Sequence, residues 1–301
     1  MSRKYRRMSP SVTGILFLLA TLGAFVGAGS HPPSQGQNPP AVDLSSLLGR
    51  AAEYCRKLES AALDFVCREE VTERINLALD GPAAYKAIKS WTVLDRERML
   101  APREPPKVKM SCIYDYQCVR SGDKIREKRT LLEENGKKKN EPNATLKTTV
   151  GTYRNALLGP VGLFSPRILN EYDYSIAGTD KFDRKPVVIV EAVPRIEALE
   201  AMNLYGKAWI DPATGDILKI EWNEKRVGNY EIFEARGKRY DRTPRITLRS
   251  EFSAEKNGIR FPTKLFIEEA YLNKRGRAFI RSETTIIYTD FKFFTVEVEI
   301  K

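Results

Sequence analysis

The chain has 301 residues with 50 Lys or Arg and 39 Asp or Glu, so its formal net charge at pH 7 is +11. It contains one histidine, His31, which lies in a stretch rich in Pro, Gln and Gly. A catalytic site of the Ser-His-Asp or Cys-His type is therefore excluded, and so is a zinc site built on imidazole.

The N-terminus has the layout of an export signal. Four basic residues among the first seven precede an uncharged run, Val12–Ala28, rich in Leu, Ile, Phe, Ala and Gly. This order is typical of a secretory signal peptide, and the small residues at its end allow cleavage before Gly29. We expect residues 1–28 to be a signal peptide and the mature protein to be periplasmic or secreted. The alternative is an uncleaved anchor that tethers the chain to a membrane, because about 17 apolar residues are near the lower limit for spanning.

The segment after the leader differs from the rest of the chain. Residues 29–42 are rich in Pro and lack apolar periodicity, which predicts a disordered spacer. Residues 43–301 contain no second linker, so we expect a single β-rich domain there.

The basic residues of the mature chain are spread out. Without the four basic residues of the leader, 46 Lys and Arg remain against 39 Asp and Glu, a net charge of +7. The densest basic run is Lys137–Lys139, and most other basic residues alternate with Glu, which indicates a solvated surface. An anionic membrane surface is the alternative partner after export, and no nucleic acid is expected.

One amphipathic helix is predicted from Leu44 to Leu63, with Asp43 as its N-cap. The apolar residues that recur at helical spacing on its inner face are Leu44, Leu47, Leu48, Ala51, Cys55, Leu58 and Ala62. From Phe65 onward the pattern favours strands.

Alternating apolar and polar residues predict strands in the C-terminal half, where three turn sequences punctuate them. The turns lie at Asp211–Asp216, Glu255–Gly258 and Asn273–Gly276, and each reads as a hairpin loop. The predicted strands are residues 204–211, 216–223, 245–254, 260–272, 277–290 and 292–300. An earlier stretch, Tyr153–Leu169, mixes Gly and Pro with apolar residues and predicts short helical turns in a connection that covers the sheet.

One hairpin carries a family resemblance. Tyr205–Asp211, the turn Thr214–Asp216 and the strand Ile217–Glu221 together resemble a hairpin that recurs in LolA-like periplasmic carriers, which move lipoproteins or lipids between membranes. The resemblance covers about the last hundred residues, and the N-terminal half looks like uncharacterised exported proteins. It implies an α+β, β-dominated fold: a curved antiparallel sheet, an incomplete β-barrel, whose concave apolar face is covered by an N-terminal helix and short helical turns. The alternative is a generic hairpin with an Asp-Pro…Gly turn.

The sequence offers little catalytic chemistry. It has no Gly-rich phosphate loop and no G-x-S-x-G elbow. The carboxylate pairs Glu69-Glu70, Glu133-Glu134 and Glu268-Glu269 are adjacent, so on strands their side chains point to opposite faces. We therefore expect no enzyme, no cofactor and no metal site. A hydrolase assembled from distant Asp and Glu residues is the residual alternative.

The four cysteines are Cys55, Cys67, Cys112 and Cys118, with no C-x-x-C motif among them. In an oxidising compartment they predict two disulfides, for which three connectivities exist. We favour Cys55–Cys67, because about 10 Å of helix and about 13 Å of returning strand bring these sulfurs together. The accompanying Cys112–Cys118 pair requires a bend between them, since six residues of straight strand span about 20 Å.

These patterns lead to a ligand-binding hypothesis. Alternation predicts an inward apolar face, although a bulge would reverse the side of each residue beyond it. We expect this face to hold a lipid, an acyl chain or a lipidated peptide beneath the helical cover. The predicted face comprises Trp209, Leu218, Ile220, Trp222, Ile246, Leu248, Phe252, Leu265 and Ile267. The main alternative is a structural or protein-interaction module in which the same residues form a filled core.

Overall fold

The computed structural model describes residues 42–76, 92, 106–122, 124–149, 158–195, 197 and 204–294. The predicted signal peptide, residues 29–41 of the predicted spacer, residues 153–157 of the predicted covering connection and residues 295–301 lie outside the described residues.

Helix α1 spans Leu44–Ala61, as the apolar spacing predicted, and ends two residues earlier than expected. The Asp43 carboxylate accepts hydrogen bonds from the backbone amides of Ser45 and Ser46 at 3.3 and 3.0 Å. These bonds satisfy two of the amides that a helix N-terminus leaves without partners in the helix. The apolar face of α1 is buried against the rest of the fold, with Leu47, Cys55 and Leu58 fully excluded from solvent.

The described residues contain thirteen strands and four further short helical elements. The helices are α2 (Val161–Phe164), α3 (Tyr230–Tyr240) and two 3₁₀ turns, Leu169–Glu171 and Glu224–Val227. The strands are β1 (Phe65–Ile75), β2 (Lys107–Ser121), β3 (Lys124–Glu134), β4 (Lys137–Pro142), β5 (Tyr172–Phe182), β6 (Lys185–Pro194), β7 (Gly206–Ile210), β8 (Ile217–Trp222), β9 (Thr243–Glu251), β10 (Ala254–Lys256), β11 (Ile259–Phe261), β12 (Lys264–Leu272) and β13 (Ala278–Phe293).

Eleven of these strands form one antiparallel sheet in the order β4-β3-β2-β1-β13-β12-β9-β8-β7-β6-β5. The first and last strands meet in its middle, where Phe65 of β1 pairs with Phe293 of β13. The sheet stays open, with β4 and β5 at its edges, and it curves around one apolar core. The edge strand β4 is exposed along its length and carries Lys137–Lys139, which discourages pairing with another chain. The predicted β-dominated α+β class with a curved, incomplete barrel is therefore confirmed.

The three predicted turns all join strands. Asp211–Asp216 connects β7 to β8, Glu255–Gly258 lies in the β10–β11 hairpin, and Asn273–Gly276 connects β12 to β13. The single strand predicted for residues 260–272 is wrong. It is divided after Phe261, because Pro262 has no amide hydrogen to donate to a ladder. Its first part pairs with β10 in a separate two-stranded sheet.

The main core lies on the inner face of the large sheet, beneath α1 and α2. Side chains from β2 and β6, which are far apart in the strand order, belong to one continuous buried cluster with α1. Among the described residues, no helix has the length and apolar character needed to cross a membrane.

Candidate ligand-binding face

Seven of the nine residues predicted for the inward face lie together in the main core. All seven are buried, and the most exposed of them, Trp222, retains 6% of its surface. They are Ile220, Trp222, Ile246, Leu248, Phe252, Leu265 and Ile267. The central strands β8, β9 and β12 thus present a continuous apolar surface toward α1 and α3.

The placement of Trp209 and Leu218 on that face was wrong. Both pack with Val187 in a separate cluster on the outer face of the sheet. For Leu218 the cause is a register shift between β7 and β8: Trp209 pairs with Lys219 but its neighbour Ile210 pairs with Ile217, which leaves Leu218 without a strand partner. This bulge turns Leu218 outward and brings Ile217 into the core. Trp209 lies on the outer face because its neighbours on β7, Ala208 and Ile210, point into the main core.

The outer cluster is capped by polar side chains rather than by helices. The Lys219 ammonium lies 3.3 Å from the centroid of the Trp209 ring, and the indole NH donates to the Asp180 carboxylate at 3.0 Å. The hydrogen bond from Trp209 is the main reason why the pKa of Asp180 lies below its usual value. These contacts cover the indole, so Trp209 belongs to the structure of the outer face.

The inner face is covered by α1 through few polar contacts. The Tyr54 hydroxyl donates to the carbonyl oxygen of Arg260 at 2.8 Å, and the Arg50 guanidinium donates to that of Pro212 at 3.0 Å. The turn before β8 also touches the helix directly, because Gly215 abuts the backbone of Arg50. Leu47, Ala51 and Leu58 add apolar contacts with the main core.

Short helix α2 forms the second part of the cover, within the predicted connection Tyr153–Leu169. It packs against α1, and its Leu163 and Phe164 are fully buried. Two tyrosines of β5 hold its backbone: the Tyr172 hydroxyl donates to the carbonyl of Gly162 at 3.2 Å, and the Tyr174 hydroxyl to that of Leu163 at 2.5 Å. The described part of this connection therefore has the short helical turns that the sequence predicted.

Buried carboxylates on the inner face were missed by the sequence analysis. Glu69 of β1 is fully buried and accepts two hydrogen bonds from Arg129 of β3, at 2.6 and 3.0 Å, and one from the Tyr288 hydroxyl at 3.0 Å. Arg129 also contacts Glu127 at 3.2 Å, and Glu127 accepts from Tyr116 at 3.1 Å. Burial alone lowers the pKa of Arg129, but its bond to Glu69 raises it, and the balance lies above the ordinary value. The guanidinium therefore stays charged.

A second buried carboxylate, Glu269 of β12, lies at the end of the apolar surface. It accepts from Arg236 of α3 at 2.9 Å and from Arg281 of β13 at 2.7 Å. The hydroxyls of Ser282 and Tyr271 donate to it at 2.7 and 2.5 Å. Four donors and complete burial leave this carboxylate no access to water, which does not suit a catalytic acid or base.

The third buried carboxylate, Glu73 of β1, ties down the segment that follows β4. It accepts from the backbone amide and the hydroxyl of Thr149, and from the Thr284 hydroxyl at 3.3 Å. The amide of Lys147 donates to the Tyr114 hydroxyl at 3.1 Å in the same segment. A sequence signal for these carboxylates exists, because Glu69 and Glu73 share the inward alternation of Phe65 and Val71.

The adjacent carboxylates point to opposite faces, as predicted. Glu69 is fully buried while Glu70 pairs with Arg68 on the other face, and Glu269 is fully buried while Glu268 pairs with Arg245. Within the described ranges, no group of three or more His, Cys, Asp or Glu residues could hold a metal ion.

The predicted disulfides are absent from the structure, where all four cysteines are free and buried. Cys112 and Cys118 lie six residues apart on the uninterrupted strand β2, so the bend that their pairing required does not exist. Cys55 of α1 and Cys67 of β1 both lie in the main core, but no disulfide joins them.

We expect the cysteines to be unreactive in the native protein. Burial raises the pKa of Cys55 and of Cys67, and raises that of Cys118 to about 11, so all three stay protonated at pH 8. Iodoacetamide added without reductant should modify none of the four residues in the native state and all four after denaturation, as counted by mass spectrometry. Recovery of fewer than four modified thiols from the denatured, unreduced protein would contradict the free-thiol state.

Comparisons with known proteins give only distant likenesses. No protein-family model matches the chain, and no curated protein matches it. Among solved structures it is similar to a putative outer membrane lipoprotein-sorting protein domain from Vibrio parahaemolyticus, with a TM-score of 0.43 and 9% identity over 84% of this chain and 95% of that one. It is also similar to a LolA superfamily protein from Nitrosomonas europaea, with a TM-score of 0.38 and 11% identity over 85% and 96% of the two chains.

A DUF1329 family protein from Desulfovibrio piger gives a TM-score of 0.38 and 12% identity over 82% of this chain and 92% of that one. The Nitrosomonas europaea protein belongs to the LolA superfamily, which the hairpin at Tyr205–Glu221 resembles. All three likenesses have TM-scores below 0.5 and identities of 12% or less, so they assign no function to this chain.

Proposed function

We propose that this chain is a non-enzymatic protein of the cell envelope that binds a lipid, an acyl chain or a lipidated peptide between its inner sheet face and the helical cover. The observation that supports the proposal most directly is the nature of that cover. Helices α1 and α2 lie on a continuous apolar surface, and neither helix is part of the hydrogen-bonded sheet.

The cover can leave the sheet at low cost in hydrogen bonds. The backbone bonds of α1 lie within the helix, so lifting it breaks no strand ladder. Among the described residues, the direct hydrogen bonds between α1 and the sheet or its turns come from Tyr54 and Arg50, and an ion pair joins Glu59 to Arg167 at 2.5 Å. Each of these groups can bond to water once the helix moves away.

The energy of the exchange favours an apolar ligand. Lifting α1 exposes Leu47 and Leu58 together with the sheet residues beneath them, and the resulting surface is costly to hydrate. An acyl chain that covers about 300 Å² of apolar surface recovers about 7.5 kcal/mol at 25 cal/mol per Å², before the costs of association. That range suits reversible binding by a carrier.

We expect purified, delipidated protein to bind a fluorescent fatty-acid analogue saturably. Leu248→Ala should weaken binding, because Leu248 lies on the inner face, whereas Leu218→Ala on the outer face should leave the affinity unchanged. Both variants remove the same buried side-chain volume, and denaturation curves of the two variants show whether they lose the same unfolding free energy. Equal affinities for the two variants would contradict binding on the inner face, and no binding of any lipid class by folded protein would contradict the carrier.

The burial of the inner face favours a second candidate, a protein-interaction module. The seven inner-face residues are packed and buried, and none of them lines the pockets that described residues form at α1 or α3. In such a module the same residues serve only stability, and the partner binds the outside. The titration separates the two candidates, because a module with a permanently filled core takes up no fatty acid.

A further inference from the structure

The hairpin turn that joins β12 to β13 carries charges of one sign. Residues 271–279 include Lys274, Arg275 and Arg277 and contain no Asp or Glu. All three basic side chains are exposed, and no hydrogen bond or ion pair within the described part of the chain engages them. We call the segment Lys274–Arg277 the basic tip. It presents three positive charges to solvent.

The other hairpins of the described chain differ from the basic tip in charge. Acidic residues lie in or beside their turns: Glu134 between β3 and β4, Asp183 between β5 and β6, Asp211 and Asp216 between β7 and β8, and Glu255 between β10 and β11. Both signs of charge also line the groove between α3 and the base of the tip, which Lys274 borders together with Lys238, Glu234 and Asp241. A surface with basic side chains alone is therefore a property of the tip itself.

The backbone of the basic tip is held in place by hydrogen bonds. The Asn273 side-chain oxygen accepts from the backbone amides of Arg275 and Arg277, both at 2.9 Å. The Arg242 guanidinium donates to the carbonyl oxygens of Tyr271 and Arg277, both at 3.4 Å. Because these bonds fix the turn, binding through its side chains requires little further ordering of the backbone.

The shape and chemistry of the basic tip fit a flat anionic surface. A hairpin turn is convex, so it encloses no small anion, but its three long side chains can reach one plane together. Lys and Arg place their apolar stems in the interface of a bilayer while their charged ends meet the lipid phosphates. Each basic residue near an anionic bilayer strengthens binding by about fivefold.

The basic tip lies on a strand of the proposed ligand face. Strand β12 contributes Leu265 and Ile267 to that face, and it ends two residues before Lys274. The seven residues from Ile267 to Lys274 span about 23 Å of extended chain. A contact between the tip and a bilayer therefore brings the ligand face close to the lipids that the proposed carrier takes up or delivers.

We infer that the basic tip docks the protein on the surface of a bilayer that contains anionic lipids. The choice of a bilayer as the partner rests on the proposed function, and the inference adds the contact surface to it. The contact itself requires no ligand on the inner face, so the two can be tested separately.

The test is cosedimentation of the mature chain with vesicles of phosphatidylcholine alone and with vesicles of equal parts phosphatidylcholine and phosphatidylglycerol. We expect binding to the anionic vesicles only, with an affinity that falls as salt increases. The triple variant Lys274→Gln, Arg275→Gln, Arg277→Gln should bind them about a hundredfold more weakly, which follows from about fivefold per basic residue.

The matched control is the triple variant Lys137→Gln, Lys138→Gln, Lys139→Gln. It removes the same three charges from the exposed strand β4, where Lys139 pairs with Glu134 and Glu141. The control should bind anionic vesicles nearly as tightly as the wild type. Equal losses in the two triple variants overturn the docking site, because the total charge of the protein then accounts for the attraction.

The outcomes distinguish this inference from the proposed function. Equal binding to both kinds of vesicle, or no binding to either by folded protein, overturns the docking site, whereas saturable fatty-acid binding by the same protein keeps the carrier. Tip-dependent binding to anionic vesicles without any fatty-acid binding overturns the carrier and keeps the docking site. Tip-dependent binding of poly-glutamate without vesicle binding assigns the tip to an acidic protein and overturns the bilayer as its partner.

Discussion

We expect the Gly215→Ala variant to lose about 3 kcal/mol of unfolding free energy and to bind apolar dye. Gly215 has a φ of +80°, and a Cβ there would lie 2.5 Å from the carbonyl carbon of Arg50 and 2.8 Å from the amide nitrogen of Ala51. Neither atom belongs to a flexible side chain, so the turn and α1 must separate. The apolar surface beneath the helix then becomes accessible, and dye fluorescence reports it.

Gly258→Ala is the control for backbone strain. Gly258 has a similar φ of +69°, but a Cβ at that position meets no heavy atom within 4 Å. It should lose about 1 kcal/mol, the cost of a left-handed backbone in a residue other than glycine, and should bind no dye. If urea denaturation gives the two variants equal stability, the close contact between the β7–β8 turn and α1 does not hold in solution.

The parts of the fold that sequence could predict are those with strong local periodicity. Helix α1 has a capping Asp43 and a regular apolar stripe, and the three hairpin turns carry Asn or Gly where a positive φ is needed. Asn257 and Gly258, for example, have φ of 52° and 69°. Such signals lie within a few residues of one another, so tertiary contacts are not needed to read them.

Helix α3 was not predicted, because its local signals are weak. Its buried stripe contains only Phe233, Gly237 and Tyr240, and the central glycine lowers helix propensity by about 1 kcal/mol. Its N-cap residue, Asn229, makes no side-chain capping bond. The helix is held by tertiary contacts such as the edge-to-face packing of Tyr240 on Tyr271, with ring centroids 4.9 Å apart.

The outward turn of Leu218 and the inward turn of Arg281 share another cause. Bulges at Leu218 and at Arg281 reverse the direction of a side chain, and each arises from the register between two strands. Alternation in a single strand contains no information about its register. The sequence could thus identify seven residues of the candidate face but neither the outward turn of Leu218 nor the inward turn of Arg281.

The Glu69–Arg129 pair provides the second large expected effect. Arg129→Met should cost about 3–5 kcal/mol of unfolding free energy, because it leaves the fully buried Glu69 carboxylate without its cation. The double variant Glu69→Leu with Arg129→Met should recover much of this loss, since the fully buried carboxylate is removed together with its cation and the replacements are apolar. Glu127, which is 11% exposed, keeps its hydrogen bond from Tyr116. Urea denaturation of the wild type, both single variants and the double variant gives the coupling energy.

The exposed pair Glu53–Arg56 is the control for this cycle. Its side chains are 46% and 64% exposed, and although its atoms approach to 2.7 Å, water and salt screen the interaction. We expect a coupling energy below about 1 kcal/mol for it. The contrast follows from burial, because desolvation makes an unpaired charge costly only where water cannot reach it. A coupling energy between Glu69 and Arg129 as small as that of the exposed pair would mean that water reaches the inner face of the sheet in solution.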